Sequence, residues 1–128
     1  MDIKTFLKPC EFTKEIEISS RFTAENEEIS KFTIKSITEI ENETIKMQCL
    51  DKNGNLNRQK YLSTLVCKCV VNPNLSNSEL QAYYSVLGEE KLIKTMLLSG
   101  EYASLVVEIQ KICRFNEDFF ENIDFIKN

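Results

Sequence analysis

The residues able to do chemistry are few in this chain. Five cysteines supply thiols, at Cys10, Cys49, Cys67, Cys69 and Cys113, and only Cys67 and Cys69 lie close together in sequence. Two positions apart means a rotation of about 200° on a helix and opposite faces on a strand, so the two thiols diverge in either conformation. A zinc site needs four convergent ligands, usually with two or more residues between paired cysteines. The spacing instead suggests a core thiol at Cys69 and a less buried one at Cys67. Asp51, Asn53, Asn55 and Asn57 imitate the first half of a calcium loop, but Leu56 stands in the place of the obligatory glycine and Leu62 in that of the bidentate glutamate. A surface turn is the better reading. Histidine, the commonest general base and metal ligand, is absent. The three glycines form no phosphate cradle, and no pattern gives a serine or cysteine nucleophile a base or an oxyanion loop. The sequence assigns no catalytic residue, no metal ligand and no cofactor, and the chain reads as a non-enzyme.

A different kind of chemistry is available at the C-terminal end. Phe119, Phe120, Ile123, Phe125 and Ile126 cannot all lie on one narrow face of a single short helix. Part of this apolar surface closes a core, or part of it docks a partner, and the two faces can divide those roles. These five residues are the candidate partner-binding set.

Composition sets the frame for such a site. The chain has 128 residues, is 42% hydrophobic and carries a net charge of −4, enough for one domain (1–128) with a real core. Sixteen basic residues are scattered among twenty acidic ones. Nucleic-acid binding needs a clustered basic excess, so no nucleic-acid partner is expected. Met1-Asp2-Ile3-Lys4 is followed by no apolar stretch of the secretory kind, and no run reaches the roughly 18 apolar residues of a membrane span. The expectation is a protein of the cytoplasm, not of the membrane, with its thiols reduced.

The elements that must position these residues read as α+β, mainly helical, with a small N-terminal β-hairpin or sheet over about 10–36 and a helical body over about 37–128. Asp2 to Leu7 could make one amphipathic turn closed by Pro9. Phe12, Ile16 and Ile18 alternate with polar residues, as do Phe32 and Ile34 beyond the polar connection 24–28. Thr38 and Glu41 form a capping box, with Ile37, Ile40, Thr44 and Ile45 following at helical spacing. The alternation of Ile45, Met47 and Cys49 before the turn signal at 51–55 leaves a second hairpin as the alternative to this helix. From about Arg58, Leu62, Leu65, Val66, Cys69 and Val70 make a stripe that runs up to Pro73, the expected central helix. Ser76 and Glu79 suggest a second capping box, with Leu80, Tyr83, Tyr84 and Leu87 on one face and Gly88 at the helix end. A short helix carries Leu92, Ile93, Met96 and Leu97 up to a break at Ser99-Gly100. A further one carries Leu105, Val106, Ile109, Ile112 and Cys113, and a last helix opens at Asn116.

This order of residues resembles the XkdN-like phage tail assembly chaperones of contractile-tail phages, prophages and phage-tail-like bacteriocins. The resemblance is carried by Lys60-Tyr61, Pro73-Asn74-Leu75, Glu79-Leu80-Gln81, Tyr84, Val86 and Gly88. It continues in Lys94, Met96-Leu97, Gly100-Glu101-Tyr102-Ala103, Ile112-Cys113 and Phe115 to Phe119, so that it spans roughly residues 30–128. Ser85 and Arg114 depart from it, standing where glycine is expected, so that a turn before Gly88 and the break between the last two helices could differ in backbone geometry. The resemblance implies a chaperone of the host cytoplasm that binds the tape-measure protein, keeps it soluble during tail assembly, and is absent from the mature particle. The tail-tube protein and further copies of the chain are additional partners to consider. The alternatives are a structural tail component, such as a connector or completion protein, and a small DNA-binding regulator. The latter is disfavoured because the helix after Gly88 offers only Lys91 and Lys94.

Overall fold

A computed structural model describes residues 1–116. After a 3-10 turn at Ile3–Phe6 the elements are β1 (Thr13–Ile16), β2 (Phe32–Lys35), α1 (Glu39–Gln48), α2 (Arg58–Cys69), β3 (Val70–Asn72), α3 (Ser78–Tyr83), α4 (Glu89–Met96) and α5 (Ser99–Ile112). The fold is mainly helical with one three-stranded antiparallel sheet, in the order β1-β2-β3. β1 and β2 pair as a hairpin, Lys14 opposite Ile34 and Ile16 opposite Phe32. β3 joins the other side of β2 after α1 and α2, with a register shift between Thr33 and Ile34.

α2 is the centre. Tyr61, Leu65, Val66 and Cys69 are fully buried and Ser63 nearly so. At 100° per residue these positions span roughly 200° of the helix circumference, more than one neighbour can cover. Accordingly α1, α4, α5 and β3 all pack on α2. Leu62, expected on this stripe, is only half-buried, and the position beside it, Tyr61, is the largest fully buried side chain. The stripe also ends sooner than its composition suggests. Val70 is buried as the first residue of β3, not as a helical residue. Pro73 biases Asn72 towards the extended region, and two adjacent β-branched valines lie next to the unpaired side of β2, so the chain leaves the helix at Cys69 and adds a strand.

The α1 capping box is present: the Glu41 carboxylate accepts from Thr38 N–H at 3.0 Å and Thr38 Oγ1 accepts from Glu41 N–H at 3.4 Å. The helix therefore prevails over the second hairpin, and the turn after it is held by the Asp51 carboxylate together with a single bridge from Leu50 to Leu56. At α3 the cap sits one residue later than expected. Asn77 Oδ1 accepts from Leu80 N–H at 2.9 Å, while the Ser76 hydroxyl donates to Glu89 at 2.6 Å and so ties the start of α3 to α4. α3 stops at Tyr83, which leaves Leu87 beyond the helix, and Gly88 precedes α4 as its N-cap instead of ending α3. Ser99 and Gly100 are not a break but the first turn of α5, where Glu101 accepts from Leu98 N–H at 2.8 Å. The last helix, expected from Asn116, lies outside the described residues.

Ser85 and Arg114 both take the left-handed conformation, with φ of 57° and 64°. Each is the C′ residue of a complete Schellman motif. Ser85 N–H bonds Ala82 O and Val86 N–H bonds Gln81 O, both at 3.1 Å; Arg114 N–H bonds Lys111 O at 3.2 Å and Phe115 N–H bonds Gln110 O at 3.1 Å. The backbone thus keeps the turn that glycine would favour, in two residues that have a Cβ. Replacing Ser85 or Arg114 by glycine removes a left-handed penalty of about 1–2 kcal/mol and restores part of the unfolded-state entropy. Each glycine variant should be more stable by about 0.5–1 kcal/mol in urea titrations; a loss of stability would show that the side chains contribute more than their strain costs.

The sheet is tied to the helices by Arg21, in the β1–β2 connection. Its guanidinium donates to both Glu101 carboxylate oxygens and to Met96 O, the latter at 3.1 Å, and lies 4.9 Å from the Phe22 ring centre. Arg21, with help from Ser19 and the Leu98 N–H, holds the Glu101 carboxyl down at about 2. A depressed acid stabilises the fold above its unfolded value and loses that contribution as pH falls through its folded one. Glu101→Gln should therefore lower the melting temperature at pH 7, with the gap from the wild type narrowing from about pH 4.5 downwards and closing near pH 2. A gap that does not change with pH would remove the ion pair as its cause.

Candidate functional site

The structure first places the residues that could do chemistry. Cys69 faces the core and its Sγ lies 3.9 Å from that of Cys113. The hydrogen bond between them pulls Cys113, the more exposed partner, down to about 7 and pushes Cys69 up. Cys67 points away from this pair, towards Glu89 and Glu90, and burial pushes its thiol up to about 12. The divergence read from their spacing is thus the geometry of α2. The Asp51 carboxylate accepts from Asn53 N–H at 2.8 Å and Asn55 N–H at 2.9 Å, which makes it the fastener of its own turn. Among the described residues no three His, Cys, Asp or Glu side chains are grouped so as to hold a metal ion.

The candidate partner-binding residues Phe119, Phe120, Ile123, Phe125 and Ile126 lie outside the described residues. The chain approaches them from the α5 Schellman turn, where Phe115 packs against the core and Gln110 Nε2 donates to Asn116 O at 2.6 Å.

Within the described residues the apolar surface of interest is on α1, and sequence reasoning missed it. Ile40 and Met47 are 77% and 70% exposed, although Ile40 was expected on the core face. They are seven residues apart, two turns along one face, with Thr44 between them. The Thr44 hydroxyl donates back to Ile40 O at 3.1 Å, so its polar atom is occupied by the helix backbone. The opposite face buries Ile45 and Cys49 together with a polar residue, Asn42. Asn42 Oδ1 accepts from the Tyr61 hydroxyl on α2, and its Nδ2 donates to Glu39 at 3.1 Å. Burial of an amide is tolerated because it is hydrogen-bonded. The helix is thus rotated relative to its apolar pattern: a satisfied asparagine goes in, and an isoleucine and a methionine stay out. The spacing of Asn42, Ile45 and Cys49 fits this face equally well, but an apolar count discards it because of Asn42.

A second exposed apolar corner lies between α3 and α4. Tyr83 and Leu87 are 80% and 87% exposed, and Tyr83 packs edge-on against Tyr84 with ring centres 4.9 Å apart. Beside them an open depression of about 600 Å³ runs between the Asn72-Pro73-Asn74 loop and the outer side of α3. Of the four residues assigned one face of this helix, Leu80 and Tyr84 pack on the core while Tyr83 and Leu87 do not.

Comparison with known proteins gives this geometry a context. The family described as phage XkdN-like tail assembly chaperone protein matches residues 3–127. Among solved structures, the crystal structure of the protein YqbN superposes with a TM-score of 0.79 at 22% identity, covering 91% of this chain and 98% of that one. At such identity the likeness concerns the fold. No curated protein matches the chain.

The two faces of α1 should respond oppositely to substitution. Ile40→Lys should change stability by no more than about 0.5 kcal/mol, as for an ordinary surface site. Ile45→Ala should cost about 2–5 kcal/mol. Equal losses in urea unfolding would mean that Ile40 is part of the core.

Proposed function

The chain belongs to the phage XkdN-like tail assembly chaperone family, and from that premise we propose that it is a non-enzymatic chaperone that binds the tape-measure protein and keeps it soluble while the tail is assembled. The observation that carries the binding mode is the pair Ile40 and Met47, held out from a helix whose other face is already complete. An apolar stripe on a helix is suited to an apolar stripe on a partner helix. The C-terminal residues Phe119, Phe120, Ile123, Phe125 and Ile126 supply further apolar contact. Methionine in such a stripe adapts to varied shapes, which favours contact with many segments of one long partner over a single matched site.

The arithmetic of length makes the complex multivalent. A ten-residue helix such as α1 is about 15 Å long, so one domain covers only a short piece of an extended helical partner and several copies line one chain. The net charge of −4 keeps such an array soluble and ill-suited to nucleic acid. Among the described residues no helix is long and apolar enough to cross a membrane. In this reading the protein acts in the cytoplasm of the bacterial host and departs before the particle is finished, as the tail-tube protein closes around its partner.

Co-expression with the tape-measure protein tests the proposal. The partner should be soluble only alongside this chain and should elute with more than one copy of it in light scattering. Ile40→Lys with Met47→Lys, and separately Phe120→Lys with Phe125→Lys, should each weaken the complex roughly tenfold or more while the fold is kept. A tape-measure protein that stays insoluble in its presence, or recovery of the chain from purified tails as a stoichiometric component, would overturn the chaperone assignment in favour of a structural one.

A further inference from the structure

A second surface of the molecule is built for a different mode of contact. Among the described residues β1 is an edge strand, paired only with β2. Ser36 N–H donates to Phe12 O at 2.9 Å and Lys14 stands opposite Ile34, so the backbone groups of Phe12, Lys14 and Ile16 point into the sheet. Those of Thr13, Glu15 and Glu17 point the other way. Against the face of the sheet that carries Lys14 and Ile16 lies α5, which rests chiefly on β2 and reaches β1 through the Lys14–Glu108 ion pair at 3.0 Å. An open groove runs between them, in two stretches of about 550 and 460 Å³ on either side of that ion pair. Its floor on the α5 side includes Ala103 and Val107, the latter 47% exposed.

The two faces of this edge differ in chemistry. Ile16 is buried and Lys14 meets α5, so even-numbered positions face the helix, whereas Glu11, Thr13, Glu15 and Glu17 face outwards. Lys35 reaches Glu11 at 3.8 Å; no cation of the described residues pairs with Glu15 or Glu17. A strand laid along this edge would meet carboxylates on one of its faces and, on the other, the α5 side, which is apolar at Ala103, Val107 and Ile112 and carries Ser104, Glu108, Lys111 and Arg114 between and beyond them.

We propose that the free edge of β1 and the α5 groove take up an extended segment of another protein, in which apolar residues alternate with lysine or arginine, as a fourth strand of the sheet. Backbone pairing supplies the affinity and the alternation supplies the choice of partner. A second copy of this chain does not fit. Antiparallel self-pairing must set residues whose backbone groups point outwards against one another, and the registers centred near the middle of β1 then place Glu11 on Glu15, Glu15 on Glu15 or Glu15 on Glu17, or bring Lys14 opposite Lys14 as the pair in between. Like charges directly opposite are destabilising, so the edge is protected against its own copies while it stays open to a basic strand. The site is separate from the apolar face of α1 and does not depend on the tape-measure reading.

The probe is a labelled, end-blocked peptide of about eight alternating valines and lysines, a strand's length. Its control is the same composition with the valines and lysines in separate blocks. The alternating peptide should bind saturably in fluorescence anisotropy, roughly tenfold or more tighter than the control, and should protect the amides of Thr13, Glu15 and Glu17 from hydrogen exchange. Glu15→Lys with Glu17→Lys should lose roughly tenfold or more in affinity. Glu15→Pro, which removes an outward N–H that the sheet does not use, should abolish binding. If that variant fails to fold, the charge variant and the exchange pattern decide. Equal binding of both peptides, unchanged exchange at these amides, or a peptide bound as a helix would overturn the proposal, as would protection of the same amides by dimerisation of the protein alone.

Discussion

The constraint on which the rest of the structure depends is the burial of α2. Its buried positions, from Tyr61 through Cys69, occupy more than half of its circumference, so no single layer can cover it. Each of the large side chains involved is worth about 1.5–3 kcal/mol when taken out of water, and that gain is available only if several elements close around it together. α1, α4, α5 and β3 do so. The sheet is added to this arrangement at its edge, through β3, which is the continuation of α2 itself. A short three-stranded sheet has little stability of its own, and here Ile16, Phe32, Ile34 and Val70 belong to the same core as the helices.

Polar groups then fix what hydrophobic burial leaves undetermined. Asn42 and Tyr61 meet in the interface between α1 and α2, Lys94 donates to the buried Ser63, and Arg21 grips Glu101 and Met96 O from the β1–β2 connection. The first of these has the largest consequence for the surface of the molecule. An apolar interface would tolerate some rotation of α1, but a buried amide with one suitable hydroxyl allows one orientation. That orientation turns Ile40 and Met47 outwards. The exposed apolar stripe of α1 is therefore a by-product of a satisfied polar contact inside.

The two helix ends at Ser85 and Arg114 show a similar division between local preference and context. Neither residue favours the left-handed region, yet in both cases the backbone hydrogen bonds of the Schellman motif are complete and the next residue, Val86 or Phe115, packs against the core. The packing of that following residue holds the turn. The local cost is small beside it, so the turn forms without glycine in both places.

Much of the scaffold was legible in the sequence, because local rules of spacing and capping act over a few residues. The Thr38–Glu41 box, the strands around Ile16 and Phe32, the core positions of α4 and α5, and the opposed directions of Cys67 and Cys69 all follow from rotation per residue and from hydrogen-bond reach. The ordered set of residues from Lys60 to Phe119 also marked the family, and the match to residues 3–127 agrees. What sequence could not settle depended on a neighbour distant in the chain. Val70 became a strand because β2 had a free side; Asn42 went inside because Tyr61, nineteen residues on, could bond it. The cap of α3 passed from Ser76 to Asn77 as Ser76 bonded Glu89 instead. Apolar patterning states which residues prefer to leave water; only the tertiary structure decides which of them find room to do so, because the space around α2 is finite and its polar groups must be paired.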